Sequence, residues 1–419
     1  MRLKRNLSFQ LVILLIIGLG VGFTLYIRFK TKHSFSCNDM YSDEVMGQIL
    51  SENLSDINNA LCKLTGIFHP IFPNRSTYSV ETIFKRTPHM FHNCLKNPCF
   101  YQRYWVTIEN ERKNVKRLRC LPYFYIIGFP KCGTTDLWER LIRHPQIVAK
   151  HKKESHYIDD KRFIKQWTFE DYLKYFSYTS NEIAKQCEAQ QINTDAKCNI
   201  ITGEATANTA AVNDLWNLLP ENKGCTEPRF TNPDYLYSIN PDMKLIALIR
   251  DPVERLWSDY HYLAKYFKYN TSREDFHENA VKAIDAYKDC LKYFSPRGCA
   301  YNESIGSIQM RLRMALYDIH ITDWLRVFPR QQLLIIRTEE YRNNTAGVLR
   351  RVFKHLNIDY PSTMFFEQML MMPKENVNHV VVDMANTTRQ MLYAFYKDSY
   401  TNVRTILQDP QFVLHMPRG

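Results

Sequence analysis

Two short stretches concentrate residues able to hold anions. In "YIIGFPKCGTTDLWERL" (125–141), Gly128 and Gly133 stand at the spacing of a Walker A loop, which reads G-x-x-x-x-G-K-[ST] between a strand and a helix. Thr134 and Thr135 follow where Lys and Ser/Thr belong, and the lysine has moved inside the loop, to Lys131 beside Cys132. A strand, a glycine turn and a helix N-terminus aim backbone N–H groups and a positive dipole end at one point. Lys131 adds a full charge there, and Thr134 and Thr135 add two hydroxyls. That combination is an anion site. Without the Lys-Ser/Thr pair the loop lacks the hydroxyl that holds Mg²⁺ in P-loop phosphoryl transfer. It suits a group transfer that uses nucleotide phosphates without a magnesium-bound triphosphate, and no metal is expected.

The second stretch, "LIRDPVERLWSDY" (248–260), puts Arg250 at the end of an apolar run and Ser258 two turns into a following helix. Ligands of open α/β sheets sit outside the carboxyl ends of the strands, so Arg250 would share an edge with the first loop. A guanidinium and a hydroxyl converging there could bind a second phosphate. Taken alone, Arg250 reads better as half of an ion pair with a nearby carboxylate, and Ser258 better as a helix-surface hydroxyl than as a ligand.

These residues need strands and helices to position them, and the pattern from Tyr123 onward supplies both. "YFYIIGF" (123–129), "QIVAK" (146–150), "KLIALI" (244–249) and "QLLIIR" (332–337) are short apolar, β-branched runs of the kind buried in a parallel sheet. Helices are predicted over 134–144, 251–267, 308–328 and 345–357. Asp251 caps the second of these, with Pro252 at its first position. Strands alternating with helices predict an α/β fold, a P-loop-like parallel sheet flanked by helices. One domain over 120–419 is the economical division. Residues 28–119 read as a stem followed by an irregular, cysteine-bearing segment.

The chain has 419 residues, a net charge of +12 and 45% hydrophobic content, so its partner is expected to be anionic. After Arg2, Lys4 and Arg5, no charge occurs from Asn6 to Ile27, long enough to cross a bilayer as a helix. The expectation is a cytoplasmic tail at 1–6, a signal anchor at 7–27 and a type II topology. A cleaved signal peptide is the alternative, but no small-x-small site follows the apolar run. Eleven cysteines fit an oxidising compartment. Cys94/Cys99, Cys187/Cys198 and Cys290/Cys299 are spaced as short disulfide loops, and the odd count leaves Cys132 as the candidate free thiol. Glycosylation acceptors stand at Asn53, Asn74, Asn270, Asn302, Asn343 and Asn386. An anchor and luminal cysteines argue against a nucleic-acid binder, which the net charge alone would have allowed.

Together "GFPKCGTT" and "RDPVERLWSDY" resemble the 5′-phosphosulfate loop and the 3′-phosphate motif of the Golgi carbohydrate sulfotransferase family. The likeness runs over roughly 123–409 and takes in "RTEEY" (337–341). Within the family it is greatest to enzymes that sulfate the 6-hydroxyl of GalNAc 4-sulfate in chondroitin sulfate, on the cues "ITGEATANT" (201–209) and "CLKYFSPRGCAYNESIG" (290–306).

The resemblance implies that Lys131, Cys132, Gly133, Thr134 and Thr135 hold the 5′-phosphosulfate of 3′-phosphoadenosine 5′-phosphosulfate (PAPS). It implies that Arg250 and Ser258 hold the 3′-phosphate. It also implies a Golgi membrane location and a glycosaminoglycan acceptor, chondroitin or dermatan sulfate first, heparan sulfate or another glycan otherwise. "KHKKESHYIDD" (150–160) resembles the stretch of heparan sulfotransferases that contains a glutamate base. Glu154 is therefore the first candidate base and His156 the second, its ordinary pKa lying near the working pH. Lys150, Lys152 and Lys153 beside them would attract a sulfated chain; the competing reading is a charged surface turn. Two further alternatives are a luminal glycan-binding protein without activity and a nucleotide kinase, which the misplaced lysine opposes. The stretch 371–403 departs from the family, keeping "FY" but lacking a glycine loop, and no contact is assigned there.

Overall fold

β3 (Phe124–Gly128) is buried along its whole length, and β5 (Lys244–Ile249) is buried from its second residue on. Successive strand side chains point to opposite faces, so uninterrupted burial means that both faces of the sheet are covered. The computed structural model describes residues 91–108, 111–191, 197–305, 309–375 and 383–409. These lie within one compact unit, Glu44–Gly419. Among them a four-stranded sheet runs in the order β4 (Gly203–Glu204), β3, β5, β6 (Leu333–Arg337). All three pairings are parallel, so the four carboxyl ends open on one edge.

Helices cover the sheet and lead away from that edge. α1 (Thr134–Leu141) follows β3, α2 (Ser177–Gln191) precedes β4, and α3 (Pro252–Phe267) follows β5. α4 (Tyr317–Val327) leads into β6, and α5 (Thr338–Asn343), α6 (Thr345–Leu356) and α7 (Asn386–Leu407) follow it, with a shorter helix at Thr363–Met371 between the last two. Leu137, Leu245, Ile246, Leu248, Leu256, Val348 and Leu349 are wholly buried between them. Each such side chain contributes roughly 1.5–3 kcal/mol by leaving water. Asp251 accepts hydrogen bonds from the amides of Val253 (2.9 Å) and Glu254 (3.0 Å), the cap that its position before Pro252 predicts.

Four expectations are corrected. The strand over 146–150 reduces to one parallel bridge, Ile147 to Ile201, because the chain turns on the bond from Ile147 N to His144 O. The long helix over 308–328 is a 3₁₀ turn at Leu312–Ala315 followed by α4. There Arg311 and Arg313 turn inward to Asp259 and Asp214, and Leu316 leaves the helical region at ψ 66°. The segment before residue 120 is not irregular throughout: β1 (Cys99–Ile108) and β2 (Glu111–Cys120) form an antiparallel hairpin. Cys99 pairs with Cys120 at its base, not with Cys94, because the ladder sets those two residues opposite each other.

Cys187–Cys198 and Cys290–Cys299 pair as their spacing suggests, and Cys94 and Cys225 are also disulfide-bonded. The tail and anchor at 1–27, the stem to residue 90, Cys37, Cys62, Asn53 and Asn74 lie outside the described residues, as do 376–382. No helix among the described residues is long and apolar enough to cross a membrane.

Candidate active site

The first loop leaves β3 through Gly128, where the backbone runs too close to its neighbours for a side chain. A Cβ there would lie 2.6 Å from Ala210 Cβ and 2.7 Å from Ala207 O. Phe129 N donates to Leu248 O (2.7 Å), tying the loop to β5. At Gly133 the chain takes φ 89° and starts α1 with no side-chain cap. Glycine adopts that left-handed conformation without steric cost, and the uncapped first turn leaves its N–H groups for a ligand. Neither Thr134 nor Thr135 spends its hydroxyl on a protein partner among the described residues.

Lys131, held at φ 66°, lays its Nζ 3.7 Å from the centre of the Tyr262 ring. Burial lowers its pKa to about 8 against the opposing charge of Asp259. Beneath the loop Cys132 is fully buried and unpaired, and burial raises its thiol to about 11.

Arg250 reaches this loop, its Nη1 donating to Lys131 O at 3.3 Å. Its nearest carboxylate oxygen, on Glu254, is 3.9 Å away, and Glu254 is already bonded to Arg389. The ion-pair reading of Arg250 is thus weak. Its side chain borders a cavity of about 270 Å³ lined also by Arg337, Arg342 and Tyr400, with Asp251, Glu254 and Glu339. Asp251 caps α3 and Glu339 accepts from Asp251 N, so the acids have protein partners while three guanidinium groups face one space. Ser258 is buried on α3, one turn before Tyr262 and on the same helical side.

The 150–160 stretch joins the same edge from the far side of the sheet. Glu204, at the end of β4, is 1% exposed and accepts from Ser155 N (3.0 Å) and Thr206 N (3.1 Å). Burial raises the pKa of this carboxyl in spite of those bonds. Thr206 Oγ1 in turn accepts from His156 N (3.3 Å). Hung on these two residues, Glu154 and His156 both sit at positive φ, 67° and 53°, and their side chains meet with His156 Nε2 3.4 Å from Glu154 Oε2. His156 Nδ1 donates to Asp159 at 3.1 Å, and Lys153 Nζ donates to Glu154 at 2.6 Å.

Hydrogen bonds to Asp159 and then Glu154 raise His156 to about 10. For Glu154, burial pushes upward, but the bonds and charges of His156 and Lys153 outweigh it and lower the carboxyl to about 2. His156 is therefore an imidazolium with no lone pair to accept a proton. The second candidate base becomes an orienting donor, and Glu154 is left as the group with basic oxygens. Glu154 also acts electrostatically on the Tyr262 phenol, the ring against which Lys131 lies.

Several members of this site escape sequence reading. Asp259, fully buried, accepts from Arg255 (3.1 Å) and Arg311 Nε (2.8 Å) below Lys131, and Arg311 is 52 residues away. Asp159 carried a signal, its i+3 spacing from His156, as did Glu204 inside "ITGEATANT". Arg337 carried one too, ending "QLLIIR" as Arg250 ends its own apolar run and opening "RTEEY"; Arg342 carried none. The arrangement brings the uncapped α1 amides, Lys131 and Arg250 to one edge, where they could take anionic groups, and keeps the Glu154 carboxylate ionised.

Residues 121–391 match the sulfotransferase domain family. Carbohydrate sulfotransferase 15 of mouse is 35% identical over 324 residues, covering 74% of this chain and 57% of that protein. Heparan sulfate glucosamine 3-O-sulfotransferase 5 of mouse is 24% identical over 238 residues, 57% of this chain and 54% of the relative. The chain thus spans little more than half the length of these relatives. A sulfotransferase structure from Alicyclobacillus acidocaldarius aligns at 20% identity and a TM-score of 0.43, over 69% of this chain and 96% of the other.

Proposed function

The chain belongs to the sulfotransferase domain family, and from that premise we propose that it transfers a sulfuryl group from PAPS to a sugar hydroxyl of a glycosaminoglycan. The acceptor we favour is the 6-hydroxyl of GalNAc 4-sulfate in chondroitin or dermatan sulfate. The protein would act from the Golgi membrane as a type II protein anchored by residues 7–27. One observation carries the reading: Lys131 and Arg250 touch at a strand edge that also presents Glu154 and its imidazolium partner. The name of the relative at 35% identity supports a carbohydrate acceptor.

The α1 amides, Gly133, Thr134 and Thr135 fit the 5′-phosphosulfate, and Arg250 with Ser258 the 3′-phosphate. Arg342, on the same cavity as Arg250, adds charge there. The acceptor oxygen attacks sulfur as the bond from sulfur to the bridging phosphate oxygen breaks, and 3′-phosphoadenosine 5′-phosphate (PAP) leaves. Lys131 meets the charge growing on that bridging oxygen, a contact strongest in the transition state. Glu154 takes the acceptor proton. Its low resting pKa reflects Lys153 and His156; an acceptor hydroxyl that displaces Lys153 would leave a more basic carboxylate, oriented by an imidazolium that Asp159 fixes.

The test is incubation of the protein with radiolabelled PAPS and separate chondroitin, dermatan, heparan and keratan sulfates, followed by disaccharide analysis. Label at the 6-position of GalNAc 4-sulfate is expected. Label confined to heparan would move the acceptor, and no label on any glycan would overturn the proposal.

A further inference from the structure

The β1–β2 hairpin contributes nothing to the site above, and its two faces differ. Residues directly opposite in an antiparallel ladder share a face. The pairs Tyr101–Leu118, Arg103–Lys116, Trp105–Asn114 and Thr107–Arg112 therefore gather Tyr101, Arg103, Trp105, Arg112 and Lys116 on one side. All five are exposed, Trp105 to 61% and Tyr101 to 45%. Lys116 Nζ stands 3.7 Å from the Tyr101 ring centre, and Arg112 Cζ 5.9 Å from that of Trp105.

Toward its base the first face is packed too, Leu118 lying buried beside Ile183 and Cys187 of α2, and the other face carries the polar seat. From it Arg119 reaches Glu170 (2.8 Å) and Ser177 (3.0 Å), and Gln102 reaches Glu170 (3.0 Å). The hairpin is thus already seated on the domain at its base, and beyond Leu118 the aromatic face is exposed, with Arg103 and Lys116 also engaged within the chain. On the strands the only acid is Glu111, at the turn and paired with Lys113.

We propose that this outer face is a second binding surface for the acceptor polymer, an acidic polysaccharide lying along β1 and β2. Its sulfate and carboxylate groups would meet Arg103, Arg112 and Lys116, and its sugar rings would stack on Trp105 and Tyr101. The two rings are about 14 Å apart along the strand, a reach suited to several linked sugars and not to one. The inference rests on the acidic glycan acceptor proposed above.

One helix relates this face to the base loop. On α2, Ser177 bonds Arg119 and Ser180 Oγ accepts from Cys120 N (3.1 Å), both from the hairpin. Between them Thr179 Oγ1 accepts from Lys150 N (3.0 Å) and meets His151 Nδ1 (3.0 Å), at the start of the loop that carries Glu154. A polymer engaged at Glu154 is thereby held on the same support as the hairpin. Aromatic and basic residues together also suit an anionic bilayer surface; the shared helix favours the glycan.

The experiment measures binding, not turnover. Full-length wild type, Trp105→Ala, Trp105→Tyr and the double variant Arg103→Ala/Lys116→Ala are titrated with polymeric chondroitin 4-sulfate, and PAP affinity serves as the folding check. Trp105→Ala and the double variant should each weaken chain binding about 10-fold, the scale of one strong contact. Trp105→Tyr should retain it, and the double variant should show a flatter dependence on salt. Trp105→Ala with wild-type affinity for the chain would overturn the proposal. So would variants that lose binding to phosphatidylserine vesicles while keeping the polysaccharide. A wild-type protein that binds the polymer but sulfates no glycan would sink the proposed function and leave this surface standing.

Discussion

The loop carrying Lys131 is braced by strand ends: Phe129 N bonds Leu248 O, and Thr338 Oγ1, after β6, lies 2.7 Å from Cys132 O and 3.0 Å from Ile249 O. The loop carrying Glu154 meets the sheet through the two-residue β4, by way of Glu204 and Thr206. Neutral bonds to backbone carbonyls thus brace the loop that, on the proposed function, would face phosphates of constant shape. Charged side chains set the loop that would face the acceptor, where an incoming hydroxyl could rearrange them. On that reading rigidity lies where the ligand is invariant, and adjustable electrostatics where a proton must move.

The largest effect should come from the adjustable side. Glu154→Gln keeps the side chain's size but removes the basic oxygen, and loss of a general base costs ~10²–10⁴ in rate. PAP affinity, read by calorimetry, should stay unchanged; a near-normal turnover would return 150–160 to a charged surface turn. Lys131→Ala on the rigid side should lower kcat by ~10²–10³, the scale of one lost transition-state donor. A variant with wild-type kcat would remove Lys131 from the chemistry.

Arg250→Ala should weaken PAP binding by about 1.5–3 kcal/mol, the worth of a hydrogen bond to a charged group. Adenosine 5′-phosphosulfate, which lacks the 3′-phosphate, should lose far less, and equal losses would contradict the assignment.

The smallest effect is a matter of pH. With Lys131 lowered to about 8, phosphate prefers the protonated amine, so PAP affinity should begin to fall as pH rises past about 8. His156 behaves differently. Its folded value, about 10, lies above the ordinary 6.5. Its contribution to stability is full below pH 6.5 and is lost as pH rises through about 10, which melting of Asp159→Asn against wild type across that range would read.

The donor side was legible in the sequence because its parts are contiguous: Gly128 to Thr135 is one strand-turn-helix, and Asp251-Pro252 announces the next helix. Arg250 could be placed on the same edge because parallel strands share one carboxyl end. The acceptor side was legible only in its charged residues. Nothing near "KHKKESHYIDD" says that Glu204, 49 residues away, holds Ser155 N, or that Asp159 turns His156 into a fixed cation. The hairpin was missed because its outward positions are basic and aromatic, so its alternation lacks the polar and apolar contrast that marks a half-buried strand. The helix over 308–328 failed for the opposite reason. Its periodicity is genuine, but ion pairs to Asp259 and Asp214 outweigh local propensity.

Cys132 gives the phosphate loop a clock. Thiol reagents attack the thiolate, and a fully buried thiol raised to about 11 presents almost none while the loop is closed. Labelling at that position, assigned by peptide mapping, proceeds only as often as the loop opens. Its rate therefore times the loop's excursions directly, and a bound nucleotide slows the clock in proportion to how long it keeps the loop shut.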